Sequence, residues 1–335
     1  MHAGPPGNRE QMGRRAGERA ATQEEPRPLG LGDASRMRVL VTGGEGFLGS
    51  HLIPRLVSRG HVVRATYLDP GGPGRRAAPG IVWHRVDLCR EGEVRGVAEE
   101  SDVVVHLAGR FVPSGRRTLA RVHGTGTRHL VAEAERAGVK RLVYVSVLGA
   151  RPGDAGYFGT KFDAETAVVA SSIPSVILRP SVIYGPNDRF TSSIRHMLET
   201  LPAFPLPGGG RFRLQPLAVE DMVDALSQCV ERQDLDGGEF ELAGPERLTF
   251  REIVTITAEL ISLRRPFVTL PEGIALSAAG LVHRAGIRAP FTPEQIALFT
   301  TDSVLDSDRN PLLEVFHVKP LPFRDALADY LEFER

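Results

Sequence analysis

Apolar positions along this chain fall into two alternating rhythms. Val39-Leu40-Val41 is a short β-branched run that leads through Thr42-Gly43-Gly44-Glu45-Gly46 into Phe47, Leu48, Leu52, Ile53 and Leu56. The first run predicts a buried strand. The second has the three-and-four spacing of a helix, from Phe47 to about Ser58, with Gly60 as its stop. Strand-like runs recur at 61–67, 81–86, 103–109 and 141–146. Helical patterns lie between them at 91–99 and from Val122 to Ala137, where Gly138 ends the second. Alternation sustained over more than 100 residues predicts an α/β fold, a doubly wound parallel sheet of the Rossmann kind.

The flanks read differently. Residues 1–36 are rich in Gly, Pro, Arg and Glu with almost no large apolar side chains, so the expectation there is a disordered extension. Met37 directly precedes the first strand, which leaves open that the working protein begins there. Residues 37–190 are expected to be mainly the dinucleotide-binding domain, and 191–333 mainly a smaller α/β substrate domain with some strands returning to the main sheet. In that second part the pattern predicts helices at 194–200, 222–232 and 250–263, the last opened by a Thr249/Glu252 capping box. Pro202, Pro205, Pro207 and Gly208-Gly209-Gly210 read as a loop suited to a substrate lid.

Composition narrows the class. Forty-one basic and 41 acidic residues give zero formal charge, so electrostatics imply no nucleic-acid partner. No apolar run reaches membrane-spanning length, and the N-terminus has no signal-peptide core, so a cytoplasmic location is expected. Cys89 and Cys229 match no metal spacing, and no metal is expected.

The glycines carry the first chemistry. Gly43, Gly46 and Gly49 between a strand and a helix fit the dinucleotide fingerprint: a tight turn, close backbone approach to a pyrophosphate, and close helix packing. Phe47 and Leu48 open the helix whose N-terminus faces the anion. Asp87 and Leu88, ending the third strand, are placed against the adenine. Leu107, Ala108 and Gly109, ending the fourth, are small enough to admit the cofactor. An acid at the end of the second strand would bind the adenosine ribose, but Tyr67 stands there, and Arg75-Arg76 follow. That pair favours NADP, with NAD as the alternative.

Ser146 ends the fifth strand, where open α/β sheets gather their chemistry. Tyr157 and Lys161, at i and i+4, share one helix face, and a lysine beside a tyrosine favours the phenolate. Only three lysines stand against 38 arginines, which makes Lys161 conspicuous. Thr42–Gly49, the Ser146/Tyr157/Lys161 set and Arg179-Pro180-Ser181-Val182-Ile183-Tyr184-Gly185-Pro186 together resemble the extended, NAD-dependent epimerase/dehydratase-like branch of the short-chain dehydrogenase/reductase superfamily. The resemblance implies that Tyr157 is a general acid/base, that Lys161 tunes it and also holds cofactor, that Ser146 binds a carbonyl, and that Pro180 and Val182 border the nicotinamide.

Departures point within that superfamily. His123 replaces the asparagine that usually relays protons. Val147 follows the serine, the serine–tyrosine gap is short, and Leu214 aligns with the arginine by which nucleotide-sugar epimerases hold their substrate, with Arg213 adjacent. Gln215–Asp221 and Phe291-Thr292-Pro293-Glu294-Gln295 resemble the subgroup related to the dinucleotide-binding accessory subunit of respiratory complex I. The expectation is an NAD(P)-dependent oxidoreductase acting on an unidentified small carbonyl or alcohol. A weakly or non-catalytic NADP(H)-binding assembly protein and a nucleotide-sugar epimerase are the alternatives, and the oligomeric state is left open.

Overall fold

The computed structural model describes Met1 and residues 36–68, 80–110, 118–154, 156–271, 273–274, 277 and 301–333. Strand β1 (Arg38–Thr42) leads through the glycine turn into α1 (Phe47–Ser58). There follow β2 (Val62–Tyr67), β3 (Ile81–Arg85), α2 (Glu91–Val94), β4 (Val103–His106) and a π-helical turn, Ala120–Thr125, that runs into α3 (Gly126–Arg136). Strand β5 (Arg141–Val145), α4 (Tyr157–Val169) and β6 (Ser175–Pro180) complete this alternation. The chain continues through β7 (Ile183–Tyr184), α5 (Phe190–Thr200), β8 (Phe204–Pro207), β9 (Arg213–Leu214), β10 (Leu217–Ala218) and α6 (Val219–Glu231). Last come β11 (Glu239–Leu242), β12 (Leu248–Thr249), α7 (Phe250–Leu260), β13 (Phe267–Leu270), α8 (Pro311–Glu314) and α9 (Phe323–Phe333).

Seven strands form one parallel sheet in the order β11-β6-β5-β4-β1-β2-β3. The chain winds outward from β1 in both directions, so the connections after β1 and β4 diverge and open a crevice at the strands' C-terminal ends. Successive β1 residues serve opposite faces. Val39 and Val41 pack with Leu52 and Leu56 of α1 and Met222 and Leu226 of α6, whereas Leu40 packs with Leu130 and Ala134 of α3 and Val168 of α4. Both faces are covered by helices at the centre of the sheet, so β1 and β4 carry buried apolar runs, while β3 and β11 at its edges are mixed and partly exposed.

The structure shifts several boundaries and changes one assignment: the helix expected at 222–232 spans Val219–Glu231, that at 250–263 ends at Leu260, and that from Val122 opens as the π-helical turn Ala120–Thr125. The helix expected at 91–99 is a single turn ending at Val94, because Gly96 takes a left-handed φ of 84°. The helix expected from Ile194 begins at Phe190, its first turn held by Asp188, which accepts the Thr191 N–H at 2.6 Å. Within the segment read as a lid loop, Phe204–Pro207 forms β8, paired in parallel with β13, with Phe204 and Leu206 buried, while Gly208–Gly210 makes a turn after it. Phe204 and Leu206 join Ile194, Phe250, Ile253 and Phe323 in a third apolar cluster. The Thr249 capping box forms with both hydrogen bonds in place. Residues 1–36, Arg75-Arg76 and 291–295, for which the sequence gives expectations, lie outside the described residues, Met1 and Arg36 excepted. Among the described residues no helix is long and apolar enough to cross a membrane.

Candidate active site

The glycine turn is pinned against the end of β2. The Gly43 N–H donates to Thr66 Oγ1 at 3.1 Å, the Gly44 N–H to the Thr66 carbonyl at 3.0 Å, and the Leu68 N–H to Glu45 Oε1 at 2.8 Å. Gly43 has φ +71°, and a Cβ there would lie 2.9 Å from the backbone of Ala108. One turn therefore meets both neighbours of β1. A Cβ on Gly49 would stand 2.6 Å from Gly44 Cα, so the close approach this glycine permits is to the turn itself. No side chain caps α1, whose N-cap is Gly46. Its first-turn N–H groups have no partner within the helix and carry the positive end of its dipole. A turn closed to a Cβ at Gly43, Gly46 and Gly49 and an uncapped helix start at Phe47 and Leu48 could hold the pyrophosphate of a dinucleotide.

The other residues expected to touch cofactor fall into three places. Leu107, Ala108 and Gly109 follow β4 against the glycine turn, and the Leu107 N–H donates to the Thr42 carbonyl at 3.2 Å. Asp87 and Leu88 lie beyond β3. Asp87 Oδ1 accepts the Cys89 N–H at 3.1 Å, and buried Leu88 stands against Gly126 of α3. Pro180 ends β6, where its carbonyl accepts the Leu148 N–H at 2.9 Å and fixes the segment after Ser146. Val182 is half-buried, and its side chain packs on the third apolar cluster.

Ser146 and Lys161 are brought together by one backbone carbonyl. Ser146 follows β5, is buried, and its Oγ has no hydrogen-bond partner among the described residues. Lys161 Nζ donates to the carbonyl of Val145, the residue before it, at 2.7 Å and lies 4.6 Å from the centre of the Tyr144 ring. Burial lowers the Lys161 pKa to about 7, opposed by the Glu165 carboxylate one helical turn on. Burial also raises the Tyr157 phenol above its ordinary value. Burial thus favours the neutral form of both groups, the phenol and the amine one helical turn apart on α4.

His123 explains how the first turn of α4 is placed. Its Nε2 accepts the Arg110 N–H at 3.1 Å, which leaves the proton on Nδ1, 2.9 Å from Thr160 Oγ1. Thr160 Oγ1 in turn donates to the Tyr157 carbonyl at 2.9 Å, and the His123 and Tyr157 rings meet edge to face at 5.5 Å. Burial first, then the Lys161 charge, lower the His123 pKa to about 2. His123 is therefore a neutral brace through the physiological range. It sits in the π-helical turn, a distortion frequent at functional sites. His106 is likewise neutral, bonded through Nδ1 to Thr42 at 2.7 Å and through Nε2 to Thr127 at 2.9 Å.

Sequence reasoning missed Thr66, Thr160 and Glu45. Thr160 lies inside the Tyr-x-x-x-Lys stretch and Glu45 inside the fingerprint, but their partners are distant in sequence or carry no motif.

The family model described as "NAD dependent epimerase/dehydratase family" matches residues 39–243. A 30% identical relative is the ceramide reductase of Caulobacter vibrioides, aligned over 82% of this chain and 86% of that protein. The mitochondrial NADH-ubiquinone oxidoreductase 40 kDa subunit of Neurospora crassa is 25% identical over 88% of this chain and 79% of its own. Among solved structures, the UDP-glucose 4-epimerase of Thermotoga maritima superposes with a TM-score of 0.71 at 20% identity, covering 89% of this chain and 99% of that one, a likeness of fold. With the parallel sheet and the glycine turn, the match over 39–243 shows that this chain belongs to the NAD-dependent epimerase/dehydratase family.

Proposed function

We propose that this protein is a nicotinamide-dependent oxidoreductase that reduces a carbonyl compound. The observation that carries the reading is the buried, unbonded Ser146 hydroxyl at the end of β5, with Lys161 bonded to the neighbouring Val145 carbonyl and Tyr157 one turn before Lys161 on α4. A bound nicotinamide supplies the hydride. Ser146 donates a hydrogen bond to the substrate oxygen, and Tyr157 gives that oxygen its proton. Lys161 stabilises the phenolate left behind and contacts cofactor. Gly43 to Gly49 hold the pyrophosphate, Leu107 to Gly109 line the crevice, Asp87 and Leu88 the adenine side, and Pro180 and Val182 the nicotinamide side. The part of the chain beyond Thr191 supplies the substrate side.

The raised phenol sets a direction. Reduction needs the protonated tyrosine, which burial favours, and oxidation needs the phenolate, which burial disfavours. Carbonyl reduction should therefore dominate near neutral pH, and alcohol oxidation should rise as pH increases. The test is a panel of aldehydes and ketones presented with reduced cofactor, and of alcohols including sterols presented with oxidised cofactor, at several pH values, read by loss or gain of nicotinamide absorbance. Turnover of at least one carbonyl near neutrality is expected, and oxidation of alcohols only at neutral pH would contradict the assignment.

A second reading rests on the likeness to the complex I subunit: a cofactor bound tightly for structure, not turned over. It requires purified protein to carry stoichiometric cofactor that no member of the panel oxidises. A nucleotide-sugar epimerase is the weaker alternative, because Arg213, beside the aligned Leu214, is engaged by Asp302 at 3.0 Å.

A further inference from the structure

We infer that the ring of Tyr144 on β5 holds Lys161 in its charged form and in its place. On the carbonyl-reducing reading, on which the consequence for turnover rests, Tyr144 is then a positioning residue that acts through the lysine. Tyr144 stands two residues before Ser146, and successive strand residues alternate between the two faces of a sheet. Tyr144 belongs to the face that α4 covers, where it joins Ala164 and Val168 of that helix in one apolar cluster. Lys161 reaches this face from α4. Its Nζ donates to the Val145 carbonyl at 2.7 Å and lies 4.6 Å from the centre of the Tyr144 ring, inside the range of a cation–π contact.

The ring matters because little else around the lysine favours its charge. Burial drives the amine towards its neutral form. The Glu165 carboxylate, one helical turn on, opposes this. Both its oxygens, however, are bonded to Arg179 of β6, at 2.9 and 2.7 Å, and Arg179 also meets Glu239. His106 of β4 and His123 of the π-helical turn are neutral, and burial keeps the Tyr157 phenol protonated. Tyr144 is not a counter-ion either, because burial raises its own phenol well above the ordinary value. What it offers the ammonium is the negative face of its ring, an attraction that strengthens where water is excluded. The ring is fixed in place. It is buried, and His106 packs on it at 5.3 Å, itself bonded to Thr42 and Thr127. The Tyr144 hydroxyl is buried with no hydrogen-bond partner among the described residues, so the ring and not the hydroxyl carries the role.

The chain has three lysines, Lys140, Lys161 and Lys319, so protein grown with lysine labelled by carbon-13 at Cε gives a spectrum simple enough to follow each one. Loss of a signal in Lys161→Arg identifies the one of interest, and its titration midpoint is then measured in the full chain. Tyr144→Phe keeps the ring face and should leave that midpoint within about 0.3 pH unit of the parent. Tyr144→Leu removes the ring's attraction for the charged form and should lower the midpoint by about one pH unit. Tyr144→Met fills more of the same space and repeats the measurement if the leucine variant unfolds. In kinetics, the decline of carbonyl reduction with rising pH should begin about one pH unit earlier in the leucine or methionine variant. Its kcat at neutral pH should drop roughly fivefold, with KM within a few-fold of the parent. A folded leucine or methionine variant with the parental midpoint would overturn the inference. So would a Tyr144→Phe protein whose midpoint falls as far as that of Tyr144→Leu. A lowered midpoint in Tyr144→Leu, when the parent reduces no carbonyl, would uphold the seat of Lys161 and remove the reductase reading instead.

Discussion

Replacing Tyr157 by phenylalanine is expected to lower carbonyl turnover by about 10²–10⁴-fold while leaving cofactor affinity within a few-fold of the parent. The ring would stay edge to face with His123 and Phe158, so the packing at the start of α4 is retained. The change removes only the hydroxyl, and with it the proton that the substrate oxygen must receive. The helix placement survives as well, because the brace from His123 through Thr160 ends on the Tyr157 carbonyl and not on its side chain. Steady-state kinetics with a cofactor titration separates the two effects. Turnover that persists at the parental rate would assign the proton to another group and remove Tyr157 from the mechanism.

Gly49→Ala is expected to act on cofactor binding first. The added Cβ would lie 2.6 Å from Gly44 Cα and the Gly44 carbonyl oxygen and 2.7 Å from the Gly43 oxygen, all backbone atoms with no rotamer to yield. Relieving such a contact costs about 2 kcal/mol of overpacking, which at the pyrophosphate site corresponds to roughly thirtyfold weaker binding. Gly92→Ala is the matched control, an exposed glycine in α2 with open space where its Cβ would go. It should leave cofactor affinity unchanged. A Gly49→Ala protein that binds cofactor like the parent would mean that the turn is not the pyrophosphate site.

The sheet was legible because its central strands are buried on both faces and its helices on one, so period and composition mark those elements without tertiary information. Phe47–Ser58 emerges with the boundaries its pattern implies, and Tyr157 and Lys161 lie on one helix as their spacing implies. Helix ends governed by a local φ were harder: nothing in the letters around Gly96 says that it must turn left-handed. The misreading of Phe204–Pro207 has a different cause. Pro205 and Pro207 suggest a loop, but Phe204 pairs with Phe267, far along the chain, and that pairing decides the segment. The candidate site divides in the same way. Gly43 to Gly49, Ser146, Tyr157 and Lys161 carry spacings that the fold itself enforces. The Glu45 contact with Leu68 and the His123–Thr160 brace exist only once β2 and α4 have been packed, and so lay beyond pattern.

Hydride transfer at Ser146, Tyr157 and Lys161 is the centre of this account, and isotope tracing tests it most directly. Protein loaded with NADH carrying deuterium at nicotinamide C4 would be mixed with a carbonyl substrate found in the panel, and the product alcohol analysed by mass spectrometry. The account predicts one deuterium on the carbinol carbon for the parent protein and almost none over the same time for Tyr157→Phe. Cofactor that stays bound in stoichiometric amount and keeps its deuterium in the presence of every carbonyl tried would contradict it.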